Sequence, residues 1–376
     1  MVLLFFGTFL ASIVADSRFL SVSHKLLQEW YAKTPHLDIK TKRELTEASL
    51  QRIHTYQNFI KTNHLVNGMV VNRGLFNIPT DVCDSLLFSS LRFIALEKLG
   101  FKEDAARAWE DIMRTKQNGA FWPRHPLCRT ETLSRDMFLG IVSALTQKPP
   151  GYFQYLEEIA QRLNTHSGFF DKGPVYTSFV TPSLKFSLDR MLAFVGIAQT
   201  QFFGTDVWIF EWETLFVKPG YEAHLTALHL WLNGEIHSLY EKKHMTMSSP
   251  SNLALKLFKF LNWFTLESLD EQKTLWVAFK IYSESQPNLF FKWLFLKELG
   301  LVNETARFAL LRELLDMREF PKERLPWDCD RKADYLWQRR TEEYLASLLC
   351  REEFHGGDFL WMTALLLEPE LGTRQK

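Results

Sequence analysis

The chain lacks an excess of charge of either sign, because 44 Lys and Arg side chains are matched by 44 Asp and Glu side chains across 376 residues. Proteins that are steered to nucleic acid or to an anionic membrane surface carry a basic excess. We therefore expect no nucleic-acid partner and no membrane contact beyond an export signal. Binding to a polyanion would need a local basic patch.

The motifs of several large enzyme classes are also missing. The sequence contains no G-x-S-x-G, P-loop or G-x-G-x-x-G motif, which argues against serine hydrolases, NTPases and dinucleotide-binding enzymes. It contains no HExxH and no C-x-x-C motif, which argues against the common zinc sites. His224 and His229 are separated by about 140° around a helix, so they do not form a metal-ligand pair. We expect neither a metal nor a cofactor.

The first 15 residues (MVLLFFGTFLASIVA) lack charged side chains, and Asp16 and Arg18 follow. This apolar run is shorter than the roughly 20 residues that cross a bilayer. Ile13 and Ala15 stand where a signal peptide has its small residues before the cleavage site. We expect a signal peptide over residues 1–15 and a secreted or periplasmic protein, with a buried first helix or a membrane anchor as the alternatives.

What the sequence does contain is helical periodicity. From residue 23 onward, apolar residues recur at intervals of three and four, which predicts about a dozen helices. The predicted segments are 42–62, 84–100, 102–116, 134–146, 152–163, 184–201, 223–239, 252–266, 271–283, 288–299, 304–317, 342–349 and 359–367.

The connections between these helices alternate between short and long. Gly100 joins two helices directly, as a glycine in the left-handed conformation can, whereas residues 67–81, 118–132 and 166–182 form long connections rich in aromatics, Gly and Pro. The pattern L-x-x-L-G ends one helix at Gly100 and another at Gly300, and the helix opening D-x-x-L recurs at Asp84, Asp136 and Asp189. This alternation is typical of stacked helical hairpins with long loops on one face.

Four stretches carry a likeness to a known group: CDSLLFSSL (83–91), the loop with Arg124, His125 and Arg129 that leads into SRDMFLG (134–140), DYLWQR (334–339) and GGDFLW (356–361). The chain after residue 67 resembles the six-hairpin glycosidase-like toroids, in which helical hairpins form an inner and an outer ring around a cleft. The likeness is architectural and matches no catalytic signature of a named hydrolase family. It implies an all-α, (α/α)6-type toroid and a single domain over residues 16–376.

The toroid would bring several carboxylates to one mouth. Asp84, Asp136 and Asp358 each stand in the first turn of a predicted helix, where capping alone can explain an acidic residue. If the inner helices run parallel, the three carboxylates gather at one end. Glycoside hydrolysis uses one protonated and one ionised carboxyl. We expect Asp136 and Asp358 to be this pair, with Asp84 in reserve.

The substrate would be an oligosaccharide or polysaccharide, bound by residues of the long loops. Trp122, Arg124, His125 and Arg129 combine an aromatic ring with cationic and hydrogen-bonding groups, which suits the rings and hydroxyls of sugars. Tyr176 adds a second loop aromatic. Alternatively, these charged residues pair with neighbouring acids at a solvated rim.

Three functions remain open on this sequence. The preferred one is a glycoside hydrolase. The second is a polysaccharide lyase on a similar toroid, with Tyr176 or His125 removing a proton while Arg124 or Arg129 stabilises a uronate carboxylate. The third is a noncatalytic helical scaffold that binds a glycan or a protein.

The toroid also implies a disulfide. Cys83 and Cys128 each lie just before a predicted inner helix on the same rim, so we expect them to pair, with Cys329 and Cys350 as a second pair. Closing the loop between Cys83 and Cys128 would stabilise the fold by roughly 4 kcal/mol in the chain-entropy model. Four buried free thiols are the alternative.

Overall fold

The structure is a computed structural model, and it confirms the all-helical class: 74% of the described residues are helical and 6% lie in strands. Predicted helices 252–266, 271–283 and 342–349 lie outside the described part of the chain. The described residues are 25, 29–74, 78–80, 82–117, 121–128, 133–170, 180–197, 221–246, 289–316, 352–353 and 355–374.

Ten α-helices in the described residues match the other predicted segments. α1 begins after Asp38, whose carboxylate accepts a hydrogen bond from the Thr41 backbone N–H at 2.7 Å, and α6 begins after Thr181, which caps it in the same way. The helices are α1 Ile39–Asn63, α2 Ser85–Leu99, α3 Lys102–Thr115, α4 Arg135–Leu145, α5 Tyr152–Thr165, α6 Pro182–Val195, α7 Tyr221–Thr246, α8 Leu289–Glu298, α9 Glu304–Asp316 and α10 Gly357–Arg374.

Short strands occupy the region that the sequence predicts to be a long loop after residue 67. β1 Leu65–Val66 and β2 Met69–Val70 form a hairpin, with Leu65 opposite Val70. β3 Asn72–Gly74 pairs with β4 Pro79–Thr80 on one side and with β5 Glu352–Glu353 on the other, in the order β4-β3-β5. Because β5 immediately precedes α10, this small sheet joins two distant parts of the chain.

α2 packs between α4 and α10. Its side chains are buried on nearly every side, which fits a helix covered by others all round. Gly140 of α4 makes the close approach possible, since a Cβ there would lie 3.0 Å from the Leu87 Cα atom of α2. The second turn of α4 therefore lies beside the first turn of α2.

α2 and α10 run in the same direction. Near their first turns, the rings of Phe88 and His355 are 4.5 Å apart. Towards their other ends, the Lys98 Nζ atom lies 2.8 Å from the Glu368 carboxylate. The same lysine contacts Glu235 of α7 at 2.9 Å, so it joins three helices. α2 and α10 thus begin at one end of the described structure, and the approach of Gly140 to Leu87 places the second turn of α4 at the same end.

Three helices end with the same backbone motif. At the end of α2, Gly100 adopts a φ of 80° and the N–H of Phe101 bonds to the Leu96 carbonyl. The predicted counterpart at Gly300 has a φ of 68°, with the N–H of Leu301 bonding to Leu296. Gly196 ends α6 in the same way, with a φ of 81°. This left-handed cap satisfies carbonyls that the last helical turn leaves free.

α1 and α9 lie alongside α10. Tyr56 in the second half of α1 stacks on Phe359 at the start of α10, with ring centroids 4.4 Å apart. At the other end, Lys42 of α1 pairs with Glu304 at the start of α9, and Arg307 one turn later donates to the Leu366 carbonyl of α10, so α1 and α10 are antiparallel. The guanidinium of buried Arg52 donates to the Leu315 carbonyl at the end of α9, at 2.7 Å. Within the described residues, no helix is both long enough and apolar enough to cross a membrane.

Candidate functional site

The strands and one long loop segment meet at the end where α2, α4 and α10 begin. This loop end consists of strands β1–β5, segment 121–128 and the first turns of the three helices. His125 of the segment bonds to the carbonyl of Val66 in β1 at 3.0 Å, and β5 leads directly into α10. Most of the predicted site residues belong to the loop end, so their positions can be compared there.

The expected disulfide between Cys83 and Cys128 is confirmed. The two sulfur atoms are 2.05 Å apart and the Cα atoms 5.7 Å apart, across a separation of 45 residues. The bond ties segment 121–128 to the turn before α2. Cys329 and Cys350, the expected second pair, lie outside the described residues.

Asp84 forms an ion pair with Arg124 instead of capping α2. The Arg124 Nη1 atom lies 3.1 Å from the Asp84 Oδ1 atom, and the Asp84 side chain is 61% exposed. Asp84 makes no side-chain capping bond to α2. The Ser85 hydroxyl donates to the Arg124 carbonyl at 3.2 Å. Asp84 and Arg124 thus hold the segment against α2, as the solvated-rim alternative predicts.

His125 is completely buried, and both of its ring nitrogens are occupied. Nδ1 accepts the backbone N–H of Leu127 at 3.0 Å, so Nε2 carries the proton and donates it to the Val66 carbonyl. Burial lowers the pKa of His125, and the hydrogen bond to Val66 opposes this effect. His125 therefore has no free nitrogen to accept a proton from a substrate, which does not favour its role as a lyase base.

Trp122 is enclosed too. Its side chain is fully buried, with the ring of Tyr155 edge-on at 6.4 Å and the Lys116 ammonium 5.8 Å from the ring centroid. This position gives no open face on which a sugar ring could stack. Arg129 and Tyr176, the other predicted substrate-binding residues, lie outside the described part of the chain.

Asp136 is the most unusual of the candidate carboxylates. It lies in the first turn of α4 and is only 8% exposed, and neither it nor Ser134 caps the helix. Its Oδ1 atom is buried and has no hydrogen-bond partner among the described residues. Buried carboxylates are normally paired or hydrogen-bonded, because burial removes their hydration. Capping therefore does not explain Asp136.

Asp358 lies in the first turn of α10 and is 1% exposed. Its Oδ1 atom accepts the backbone N–H of Phe359 at 3.0 Å. Just before it, the Nδ1 atom of buried His355 accepts the N–H of Gly357 at 2.8 Å, and the His355 ring packs on Phe88 of α2. These contacts fix the first turn of α10 against the start of α2.

The structure therefore places Asp136 and Asp358 on the two helices that flank α2, each in the first turn and each buried. Both helices begin at the loop end. Asp84 lies at the same end, but its carboxylate is exposed and held by Arg124.

One polar residue near this end has no predicted functional role. His229 of α7 is 8% exposed, and its Nδ1 atom has no hydrogen-bond partner in the described part of the chain. Burial, helped by the positive charge of Arg135 at the start of α4, lowers the pKa of His229 to about 3. A histidine in an apolar stretch such as LTALHLWL gives no sequence signal of this environment.

Comparison with known proteins adds no assignment: no family model, no curated protein and no solved structure matches this chain. The described residues also contain no group of three or more His, Cys, Asp or Glu side chains placed to hold a metal ion.

Proposed function

We propose that this protein is a carbohydrate-active enzyme, a glycoside hydrolase that uses Asp136 and Asp358 as its acid and base. One observation carries the proposal. Two buried carboxyls lie in the first turns of the helices on either side of α2, at the end where the loops gather, and the Oδ1 of Asp136 has no partner within the described residues. Such a carboxyl is available to a ligand.

The proposed fold is a double ring of helical hairpins. α2, α4 and α10 supply parallel inner helices, while α1, α3, α5 and α9 supply antiparallel outer ones. The matching glycine caps after α2, α6 and α8 support the proposal, because equivalent hairpins of a ring turn in the same way. The pairing of β3 with β5 brings residues 72–74 to 352–353 and supports a closed arrangement within one domain over 16–376.

We assign the ionised role to Asp358. Its Oδ1 accepts a backbone N–H at the start of a helix, and both this hydrogen bond and the helix dipole stabilise a negative charge. Asp136 is then the carboxyl that protonates the leaving oxygen. Asp358 either activates a water molecule or attacks the sugar, and the anomer of the first product, read by NMR, distinguishes these two mechanisms.

The proposed location is secreted or periplasmic, with residues 1–15 removed as a signal peptide. The Cys83–Cys128 disulfide supports this, because disulfides persist in oxidising compartments. Export of a reporter protein fused behind residues 1–30 would test it, and retention of the reporter inside the cell would contradict it.

The direct test is cleavage of a panel of neutral and acidic polysaccharides, measured as release of reducing ends. Asp136→Asn and Asp358→Asn should each lower the rate by about 10² to 10⁴-fold, the usual contribution of a general acid or base. Asp38→Asn, just before α1, makes the same chemical change away from the site and should leave the rate within a few fold, because Asn caps a helix about as well as Asp. Circular dichroism would check that all three variants remain helical.

Two results would contradict the hydrolase. Full activity in both Asn variants would remove Asp136 and Asp358 from the chemistry. An unsaturated product that absorbs in the ultraviolet would identify a lyase instead. Binding of a glycan without cleavage would favour the scaffold.

A further inference from the structure

The turn that leads from β5 into α10 is held by a side chain that precedes the helix. The Nδ1 atom of His355 accepts the backbone N–H of Gly357 at 2.8 Å. The carbonyl of Gly356 accepts the N–H of Phe359 at 3.1 Å, and the Oδ1 atom of Asp358 accepts the same N–H at 3.0 Å. Three hydrogen bonds within five residues therefore hold the backbone on both sides of Asp358.

Two glycines make this turn possible. Gly356 has a φ of 69°, in the left-handed region that residues other than glycine rarely adopt. At Gly357, a Cβ atom would lie 2.9 Å from the Nδ1 atom of His355, which is closer than a Cβ atom comes to a nonbonded neighbour. Because Gly357 has no Cβ, the imidazole can approach its N–H.

His355 is itself fixed by its surroundings. Its side chain is 4% exposed, and its ring packs on Phe88 of α2 with ring centroids 4.5 Å apart. Two residues earlier, Glu353 of β5 lies opposite Arg73 of β3. A hydrogen-bond acceptor on a packed ring has little freedom to move. His355 therefore links the position of Asp358 to α2 and to the small sheet.

This helix start differs from that of α1. In α1 the carboxylate of Asp38 is the cap, since it accepts the N–H of Thr41 in the first turn. In α10 an imidazole accepts the N–H of the first helical residue, and the carboxylate of Asp358 bonds to the N–H that follows it. Histidine is not among the preferred capping residues, which are Asn, Asp, Ser and Thr. Capping alone therefore does not explain the histidine.

We propose that His355 is a positioning residue for Asp358, whose carboxylate it holds in the orientation that the reaction needs. The proposal rests on the proposed glycosidase function and adds a residue to that site. His355 acts through the backbone of Gly357 and contacts no reacting atom. A displacement of about 1 Å in a reacting group can lower a rate by about 10²-fold, so loss of this hydrogen bond should be visible in the kinetics.

The kinetic test compares two substitutions of the histidine. His355→Leu removes the acceptor and keeps a buried side chain, and it should lower kcat for polysaccharide cleavage by about 10- to 100-fold with little change in KM, because orientation acts on the chemical step. His355→Asn should keep most of the wild-type kcat, since an Asn side chain can accept the N–H two residues further on, as in an Asx turn. Equal losses of kcat in both variants, or a change in KM alone, would overturn the proposal.

His64→Leu is the matched control. His64 is also buried, and its Nδ1 atom bonds to the Val71 carbonyl at 2.8 Å. Its loss should destabilise the fold and leave kcat unchanged. A fall in kcat as large as that in H355L would mean that lost stability, and not lost orientation, is the cause.

A second variant disturbs the same contact without changing the histidine. Gly357→Ala places a Cβ atom against the packed ring of His355 and should force the ring away from the N–H. It should lower kcat about as much as H355L. If H355L does not fold, this variant decides the test, and a wild-type kcat in G357A would contradict the proposal.

A measurement without substrate reports the turn directly. The full chain is labelled with ¹³C-aspartate and ¹⁵N-glycine, and NMR follows the Asp358 carboxyl carbon and the Gly357 amide. In H355L the amide should exchange faster with solvent and the carboxyl resonance should move, whereas in H355N both should stay close to the wild type. An unchanged Asp358 resonance in H355L would rule out the positioning role.

The two proposals can fail separately. If the wild-type chain cleaves no polysaccharide but the Asp358 resonance moves in H355L, the hydrolase proposal fails and the positioning of Asp358 stands. If the wild type cleaves a polysaccharide through Asp136 and Asp358 while H355L keeps full kcat, the hydrolase stands and the positioning role fails.

Discussion

Single carboxylates in this protein differ in how their charge is compensated. Asp104 of α3 accepts hydrogen bonds from Lys61, Arg107 and Gln57. Asp136 has a buried oxygen with no such partner in the described residues. The first arrangement is that of an acid that stabilises the fold, and the second is that of an acid available to a ligand.

Asp104 should make the protein more stable at neutral pH than in acid. Burial alone would raise its pKa, but the bonds from Lys61, Arg107 and Gln57 outweigh burial and lower the pKa to about 2. This stabilisation is present above the unfolded pKa near 3.8 and is lost as pH falls towards 2. Asp104→Asn should lower the free energy of unfolding at pH 7 by about 1 to 2 kcal/mol, after allowance for solvent screening. Urea titrations at pH 7 and pH 2.5 measure this, and a pH-independent difference would contradict it.

His229 should also make the protein less stable in acid, and its effect should begin at a higher pH than that of Asp104. Its pKa of about 3 lies below that of an unfolded histidine, so the unfolded chain binds the proton first. Stability is unaffected above about pH 6.5 and falls as pH drops below this value, by about 1.4 kcal/mol for each pH unit down to about pH 3. His229→Gln should remove this part of the pH dependence, whereas the same change at exposed His54 should not. Melting temperatures between pH 4.5 and 7.5 measure both.

For single residues, the sequence predicted where a side chain lies along a helix better than it predicted what surrounds that side chain. Asp84 and Asp136 share the pattern D-x-x-L, and both do stand at the start of a helix. The Asp84 carboxylate is exposed and paired with Arg124. The Asp136 carboxylate is buried, and its Oδ1 atom has no hydrogen-bond partner in the described residues. The difference arises from the segment that covers each helix end, which a local pattern does not contain. The environment of His229 is likewise set by other helices.

The helices themselves were largely predictable, because each carries its own apolar periodicity. The caps at Gly100 and Gly300 follow from L-x-x-L-G, whereas Gly196 ends LAFVG and lacks that pattern. Its cap has the same geometry nonetheless. The strands were missed because each has only two or three residues, and β3 depends on pairing with β5, far away in the sequence.

The close approach of α4 to α2 at Gly140 should leave no room for a side chain at this position. A Cβ at Gly140 would meet the Leu87 backbone at 3.0 Å, whereas one at Gly234 of α7 would meet only the end of the flexible Lys297 side chain, at 2.8 Å. Alanine favours a helix over glycine by up to about 1 kcal/mol. Gly234→Ala should therefore be neutral or stabilising, and Gly140→Ala should destabilise by about 1 to 3 kcal/mol. Denaturant unfolding of both variants decides this, and equal stability of the two would refute the close approach.

The Cys83–Cys128 disulfide should stabilise the native state mainly by restricting the unfolded chain. With the two cysteines 45 positions apart in the sequence, the double variant C83S/C128S should lose up to about 4 kcal/mol of unfolding free energy. Thermal melting of this variant, beside the wild type with and without reductant, measures the loss. If reductant lowered the melting temperature of the double variant as much as that of the wild type, another bond would be responsible.

Across the whole molecule, Lys98 connects helices from three regions of the chain. Burial would lower its pKa, but Glu235 and Glu368 outweigh this effect, and the pKa is raised. Its contribution to stability is therefore present below about pH 10.5 and is lost as pH rises through the folded pKa. Lys98 is the central charge of a contact between α2, α7 and α10.

Lys98→Met should lower the free energy of unfolding at pH 7 by about 1 to 3 kcal/mol, because two acidic groups lose their cation while keeping access to water. Urea denaturation measures this, and the difference from the wild type should narrow above pH 11. Adding E235Q and E368Q to this variant should restore part of the loss. If the triple variant were less stable than K98M alone, repulsion between the two glutamates would not be the cause.

The position of α2 between α4 and α10 has a consequence for synthesis on the ribosome. α10 begins about 260 residues after α2 ends, and a ribosome adding ~5–20 residues per second needs roughly 10 to 50 s to make that length. During this delay α2, which is apolar on nearly every side, lacks the contact with α10 that later shields it from water. Holdase chaperones would therefore meet the nascent chain at α2 first, and crosslinking them to stalled chains of increasing length would show the contact ending once α10 has emerged.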